Sequence, residues 1–177
     1  MDKKIAILEH FFENPLGEFH IRELARLTKQ NHMTVRSYLN TFVKEGLLHK
    51  KKSKLYPTYS ANQANKKFIN LKIYYNLEMI RESKLIEELE KEYDFPTIII
   101  FGSYATATNT KESDIDIFIL SDIPTEFNSE PYEKKLKRKI SIHKFTEKEF
   151  QTMKTKNSEL LNNICNGITL AGKLEVV

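Results

Sequence analysis

Two aspartates separated by one residue, Asp114 and Asp116, stand at the start of the apolar run Ile115-x-Ile117-Phe118-Ile119-Leu120. Ten residues earlier a second apolar run, Ile98 to Phe101, ends in Gly102-Ser103. β-branched and aromatic runs of this length predict buried strands. Side chains alternate along a strand, so Asp114 and Asp116 are expected on one face and Ile115, Ile117 and Ile119 on the other, towards a core. Two carboxylates on one face repel unless a cation lies between them. Mg²⁺ favours a shell of one or two carboxylates completed by substrate phosphates. Gly102 permits backbone angles closed to other residues, and Ser103 adds a small hydroxyl. The constellation predicts a site for a metal ion and a polyphosphate.

The pattern strand, Gly102-Ser103, nine residues, Ser113-Asp114-Ile115-Asp116 and strand resembles the signature of the small nucleotidyltransferases of the DNA polymerase β superfamily. The resemblance is close over residues 95–120 and looser over 121–172. It implies that Asp114 and Asp116 hold the catalytic divalent metals, Mg²⁺ or Mn²⁺. It also implies that Gly102, Ser103 and Ser113 hold an NTP. The superfamily commonly has Arg-Gly in the crossing, where this chain has Thr106 and Ala107; Lys111 is the other candidate cation. A third strand, Ile140–Phe145, should bring a third carboxylate, but it contains neither Asp nor Glu. Ser141 best matches that position, and His143 lies one step further along the same face. Either His143 serves as general base, or the site binds nucleotide without turnover.

These residues need elements to position them. Phe95-Pro96 ends a preceding helix, residues 104–112 form a short helix or loop, and residues 121–132 read as a surface loop. Lys134–Lys139 is a basic, solvated helix end or a nucleotide-attracting patch. Thr146-x-x-Glu149 opens a helix as a capping box. A last helix at 158–166 is stopped by Gly167, followed by a short extended run from Ile168. Cys165 lies in that helical pattern and is expected to be buried and inert; a lone cysteine excludes an internal disulfide.

The charge is unevenly spread. Residues 1–60 hold 11 Lys/Arg against 6 Asp/Glu, whereas residues 61–177 hold 17 against 18. A polyanion-binding surface therefore belongs to the first third. Apolar spacing predicts helices over 3–12, 21–28 and 32–45, with a brief extended Phe19-His20. A hairpin follows, from Leu47–Lys51 and Leu55–Tyr59. The run Arg22-Glu23-Leu24-Ala25-Arg26-Leu27-Thr28, then Thr34 to Leu39 and Glu45 to Leu48, resembles winged helix-turn-helix regulators. In such folds the third helix enters the major groove by its N-terminal half. Asn31, His32, Thr34, Arg36 and Ser37 are the candidate base contacts. Lys50, Lys51, Lys52 and Lys54 are the candidate phosphate contacts. Winged helices also serve as protein-docking modules, so both readings stay open.

Between the two lies Asn62–Tyr93, without Gly or Pro, read as one long helix or two with a break near Arg81–Ser83. It is apolar on more than one side and must be covered on more than one side. A homodimer or packing within the chain would supply the cover. The expected architecture is α+β: a winged helix-turn-helix over 1–60, a connecting helix over 61–94, and a small nucleotidyltransferase domain over 95–177 with a mixed sheet flanked by helices. Hydrophobic content of 40% and the lack of an apolar run near about 20 residues exclude a membrane span. The expected setting is cytoplasmic. The expected activity is transfer of NMP from Mg-NTP to an acceptor hydroxyl, with a protein as one possible acceptor and DNA as the N-terminal ligand. The alternative is a transcriptional regulator, of antitoxin-like type as one option, whose C-terminal domain senses nucleotide or is catalytically degenerate.

Overall fold

Helix α1, Lys3–Glu13, buries Ile7, Leu8, Phe11 and Phe12, a stripe set by three- and four-residue spacing. The computed structural model describes residues 3–52 and 56–175 and packs as two compact units, residues 1–75 and 76–177. In the first unit, β1 (Phe19–His20) leads into α2 (Ile21–Thr28). Lys29 takes a left-handed conformation (φ 53°), which ends α2 and turns the chain. Asn31 Oδ1 accepts the Met33 N–H at 2.8 Å and caps α3, His32–Lys44. α3 sends Val35, Leu39 and Phe42 inwards. β2 (Leu48–Lys51) and β3 (Thr58–Ala61) complete an antiparallel sheet of order β1-β3-β2. Three helices and a hairpin thus follow the order that the sequence predicts. The Leu55 and Lys54 expectations lie outside the described residues.

α4, Lys66–Ser83, contributes Phe68 and Tyr75 to the core of the first unit. Lys72 shares that face and is 1% exposed. Burial pulls its ammonium down to about 8, with the charge of Glu13 opposing. The folded chain thus holds this proton less tightly than the unfolded one. Stability should rise as pH climbs from about 8 to the unfolded value of 10.5, and gain nothing from this group below that window. Lys72→Met should abolish the rise. Urea midpoints of both proteins at about pH 7 and about pH 10 check it.

In the second unit, Lys84 separates α4 from α5, Leu85–Glu92. Lys84 is left-handed (φ 72°), and Ser83 Oγ donates to the Ile80 carbonyl at 2.6 Å while accepting the Leu85 N–H at 3.1 Å. The break falls just beyond its expected place. β4 (Thr97–Phe101) is buried throughout. α6 (Gly102–Thr106), β5 (Ile115–Leu120), α7 (Glu130–Leu136) and β6 (Ile140–Phe145) follow. α8 (Glu147–Lys156), α9 (Ser158–Cys165) and β7 (Ile168–Ala171) close the chain. The sheet order is β6-β5-β4-β7, with β5 and β6 parallel and the other pairs antiparallel.

Both faces of this mixed sheet are covered, so its central strands read as continuous apolar runs. On one face Ile98, Ile100, Ile115, Ile117 and Ile119 pack with Leu85, Ile86 and Leu89 of α5. On the other, Ile99, Phe101 and Phe118 pack with Phe150 and Met153 of α8 and Ile164 of α9. α8 carries the expected capping box: Thr146 Oγ1 accepts the Glu149 N–H at 3.2 Å, and the Thr146 N–H donates to Glu149 Oε2 at 2.8 Å. A Cβ on Gly167 would sit 2.6 Å from the Ile100 carbonyl oxygen, so only glycine lets the α9–β7 turn close on β4.

Two expectations are corrected. The predicted loop over 121–132 gives way to α7 at Glu130, because Pro131 falls in the first turn, where its missing N–H does no harm. Cys165 is exposed, since the neighbouring Ile164 takes the inward position and a helix turns about 100° per residue. No helix among the described residues is long and apolar enough to cross a membrane.

Candidate functional site

The antiparallel register of β4 and β5 sets Phe101 opposite Asp116. Gly102 follows at once, with φ +66°, and turns the chain out of the sheet. A Cβ built on Gly102 would lie 2.7 Å from Asp116 Oδ2. The glycine is therefore required twice, by its backbone angle and by the carboxylate against it. Asp116 is half-buried and shares its face with Phe118, whereas Asp114 is exposed, one residue before β5 begins. Burial pushes the Asp116 carboxyl above its ordinary value, the charge of His143 opposes, and the charge of Asp114 pushes it further up.

β6 runs parallel to β5 and sets Ser141 opposite Asp116 and His143 opposite Phe118. His143 Nε2 lies 3.8 Å from Asp116 Oδ1, beyond hydrogen-bond range. Its ring meets Phe101 edge-on, with centroids 5.2 Å apart. The hydroxyl of Ser141 stands where the resemblance calls for an acid. Ser113 closes the turn before Asp114: its N–H donates to the Thr110 carbonyl at 3.1 Å, and its Oγ accepts the Thr110 N–H at 3.0 Å.

One pair that the sequence reading missed holds the segment after Gly102-Ser103. Asn76 of α4 and Asn109 are both buried. Asn76 Nδ2 donates to Asn109 Oδ1 at 2.9 Å and to the Tyr104 carbonyl at 3.0 Å, and Asn109 Nδ2 returns a bond to Asn76 Oδ1 at 3.2 Å. Their separation of 33 positions hides the pairing from any local pattern. Asn76→Ala strands buried amide and carbonyl groups and should destabilise the second unit by about 1–3 kcal/mol. A denaturant titration followed on that unit measures it.

Among the described residues, no group of three or more His, Cys, Asp or Glu side chains converges as a metal site. Mg²⁺ needs no such group when substrate phosphates complete its shell. Asp114 and Asp116 are hard oxygen donors, and the missing side chain at Gly102 leaves Asp116 Oδ2 uncrowded. These residues fit a divalent ion that arrives with a nucleotide.

In the first unit, His32, Arg36 and Ser37 are exposed on α3, Thr34 is half-buried, and Asn31 is occupied as the cap. The lysine run is not one stripe. Lys50 pairs in register with Tyr59 and lies over its ring at 5.9 Å. Lys51, on the opposite face, binds Glu18 at 3.2 Å. Lys52 is exposed beyond β2, and Lys54 lies outside the described residues.

Residues 82–160 match the family model described as the nucleotidyltransferase domain, a span that includes Gly102, Ser103, Asp114, Asp116 and His143. No curated protein matches the chain. Among solved structures, it is similar to a proposed transcriptional regulator from Rhodococcus sp. RHA1 at 13% identity, over 71% of this chain and 46% of that one, with a TM-score of 0.33. This chain thus spans less than half the length of the Rhodococcus protein. It is also similar to TrmBL2, an archaeal chromatin protein with a novel mode of DNA binding, at 18% identity, over 90% of this chain and 68% of that one, with a TM-score of 0.28.

Proposed function

We propose, on the premise that residues 82–160 carry a nucleotidyltransferase domain, that the second unit transfers NMP from an NTP to an acceptor hydroxyl. The observation that carries this reading is the apposition of Gly102 and Asp116, with Asp114 beside them, at the end of β4 and the start of β5. Asp114 and Asp116 would hold the divalent ion, which when bound neutralises charge on the triphosphate. Gly102 and Ser103 would hold the phosphates close to the two carboxylates. In the transfer, the acceptor oxygen forms a bond to the α-phosphorus, the bond from that phosphorus to the bridging oxygen breaks, and pyrophosphate departs with the electron pair. His143, held near Asp116, takes the acceptor proton. Domains over 1–60, 61–94 and 95–177 remain the division of labour in this reading.

The first unit would bind DNA through the exposed start of α3 and through Lys50 and Lys52, with a homodimer presenting two such faces. Replacing both lysines with Ala should lower the salt slope of binding to the gene's own promoter by about 2, while Lys51→Ala, already paired with Glu18, should change it less. Fluorescence anisotropy at several salt concentrations decides, and an unaltered slope in the double variant would remove the wing from the interface.

The absence of an acid from β6 favours a second reading, in which the nucleotide site senses rather than transfers and the chain acts as a DNA-binding regulator. Incubating the protein with labelled NTPs, Mg²⁺ and cell extract separates the two. Transfer of label to an acceptor supports the enzyme; retention of nucleotide with no label transferred supports the sensor.

A further inference from the structure

The first unit contains a cavity of about 480 Å³ between α2, the start of α3 and β3, within the size range of small-molecule sites. Arg22, Arg26, Arg36 and Lys50 line it together with the rings of Tyr56 and Tyr59. The Arg22 guanidinium lies 5.4 Å from the Tyr56 ring centroid, and the Lys50 ammonium 5.9 Å from that of Tyr59. Glu23, also in the wall, is engaged by the His20 backbone N–H at 3.2 Å. Among the described residues, none of the four cations forms an ion pair.

Four cations around one cavity repel each other until an anion of more than one charge enters. Tyr56 is 57% exposed, and an aromatic ring can stack with a planar group. A ligand that meets both demands has a flat ring system and several phosphate oxygens. Duplex DNA does not, because its bases stay stacked and offer edges rather than faces unless flipped out. We propose that this cavity binds a free nucleoside di- or triphosphate, with the base against Tyr56 and the phosphates among Arg22, Arg26, Arg36 and Lys50. Arg36 and Lys50 also belong to the DNA surface proposed above, so on that reading nucleotide and DNA exclude each other. The site lies wholly in the first unit and does not depend on the catalytic reading of the second.

The test uses the full chain carrying Asp114→Asn and Asp116→Asn, in EDTA, titrated with a fluorescent N-methylanthraniloyl ATP. Saturable binding with Kd below about 1 mM is expected, weakened at least about tenfold by Arg26→Ala with Arg36→Ala. Both arginines are exposed, so circular dichroism should match the parent. Unlabelled ATP should displace the probe, and inorganic phosphate at the same concentration should not. No saturable signal, binding indifferent to the arginine changes, or equal displacement by phosphate would each overturn the proposal. In a separate arm, ATP should release a bound duplex from the parent. Duplex retained while the probe is bound would defeat mutual exclusion and leave the nucleotide site standing.

Discussion

Replacing Asp114 and Asp116 together with Asn is expected to reduce nucleotide transfer by at least about 10³-fold, equivalent to about 4 kcal/mol of transition-state stabilisation. The change keeps size and one oxygen on each side chain but replaces the other with an NH2 donor and removes both charges that would hold a cation against the phosphates. Loss of the fold would not be the cause. Burial disfavours the charged form of Asp116, so the neutral amide should leave the folded state at least as stable. Transfer of label from NTP to acceptor measures the first effect, and a thermal melt measures the second. Transfer undiminished in a folded double variant would remove both aspartates from the mechanism.

Gly102→Ala should damage fold and activity together. An alanine at φ +66° carries backbone strain of about 1–3 kcal/mol. Its Cβ would also meet Asp116 Oδ2 at 2.7 Å, pushing aside the carboxylate on which the site depends. A displacement of about 1 Å at reacting groups is enough to lower a rate by about 10²-fold. The two contributions separate in a double-mutant cycle. Asp116→Ala removes the clash and leaves the strain, so Gly102→Ala should destabilise less in that background. Urea unfolding of the four proteins gives the coupling, and strictly additive losses would show that the carboxylate does not press on position 102.

The elements that position the site were legible because their signals are local. A β-branched run ending in Gly-Ser and an alternating Asp-x-Asp strand announce themselves through side-chain period and backbone freedom, and β4, β5 and β6 lie where those signals place them. The end of α4 was blurred because Lys84 takes a left-handed conformation with no turn residue to advertise it. α7 was hidden by Asn128 and Pro131, which read as loop residues yet suit a helix start. The Asn76–Asn109 pair and the basic cavity were illegible for another reason. Each is assembled from segments remote in sequence, and no spacing rule links them. The lysines of the hairpin are a different case: the run reads as one basic set, although alternation along β2 sends Lys50 and Lys51 to opposite faces.

The hydroxyl of Ser141 across from Asp116 has a consequence for the cation that the proposed function would place there. A third acid there would add a further negative charge about one strand spacing, ~4.8 Å, from the second, and an incoming triphosphate would meet all three. With a neutral group on that strand the repulsion is smaller. On the proposed reading, nucleotide affinity at the second unit should therefore depend less steeply on divalent-ion concentration than at a site with three acids, while still falling as the ion is withdrawn.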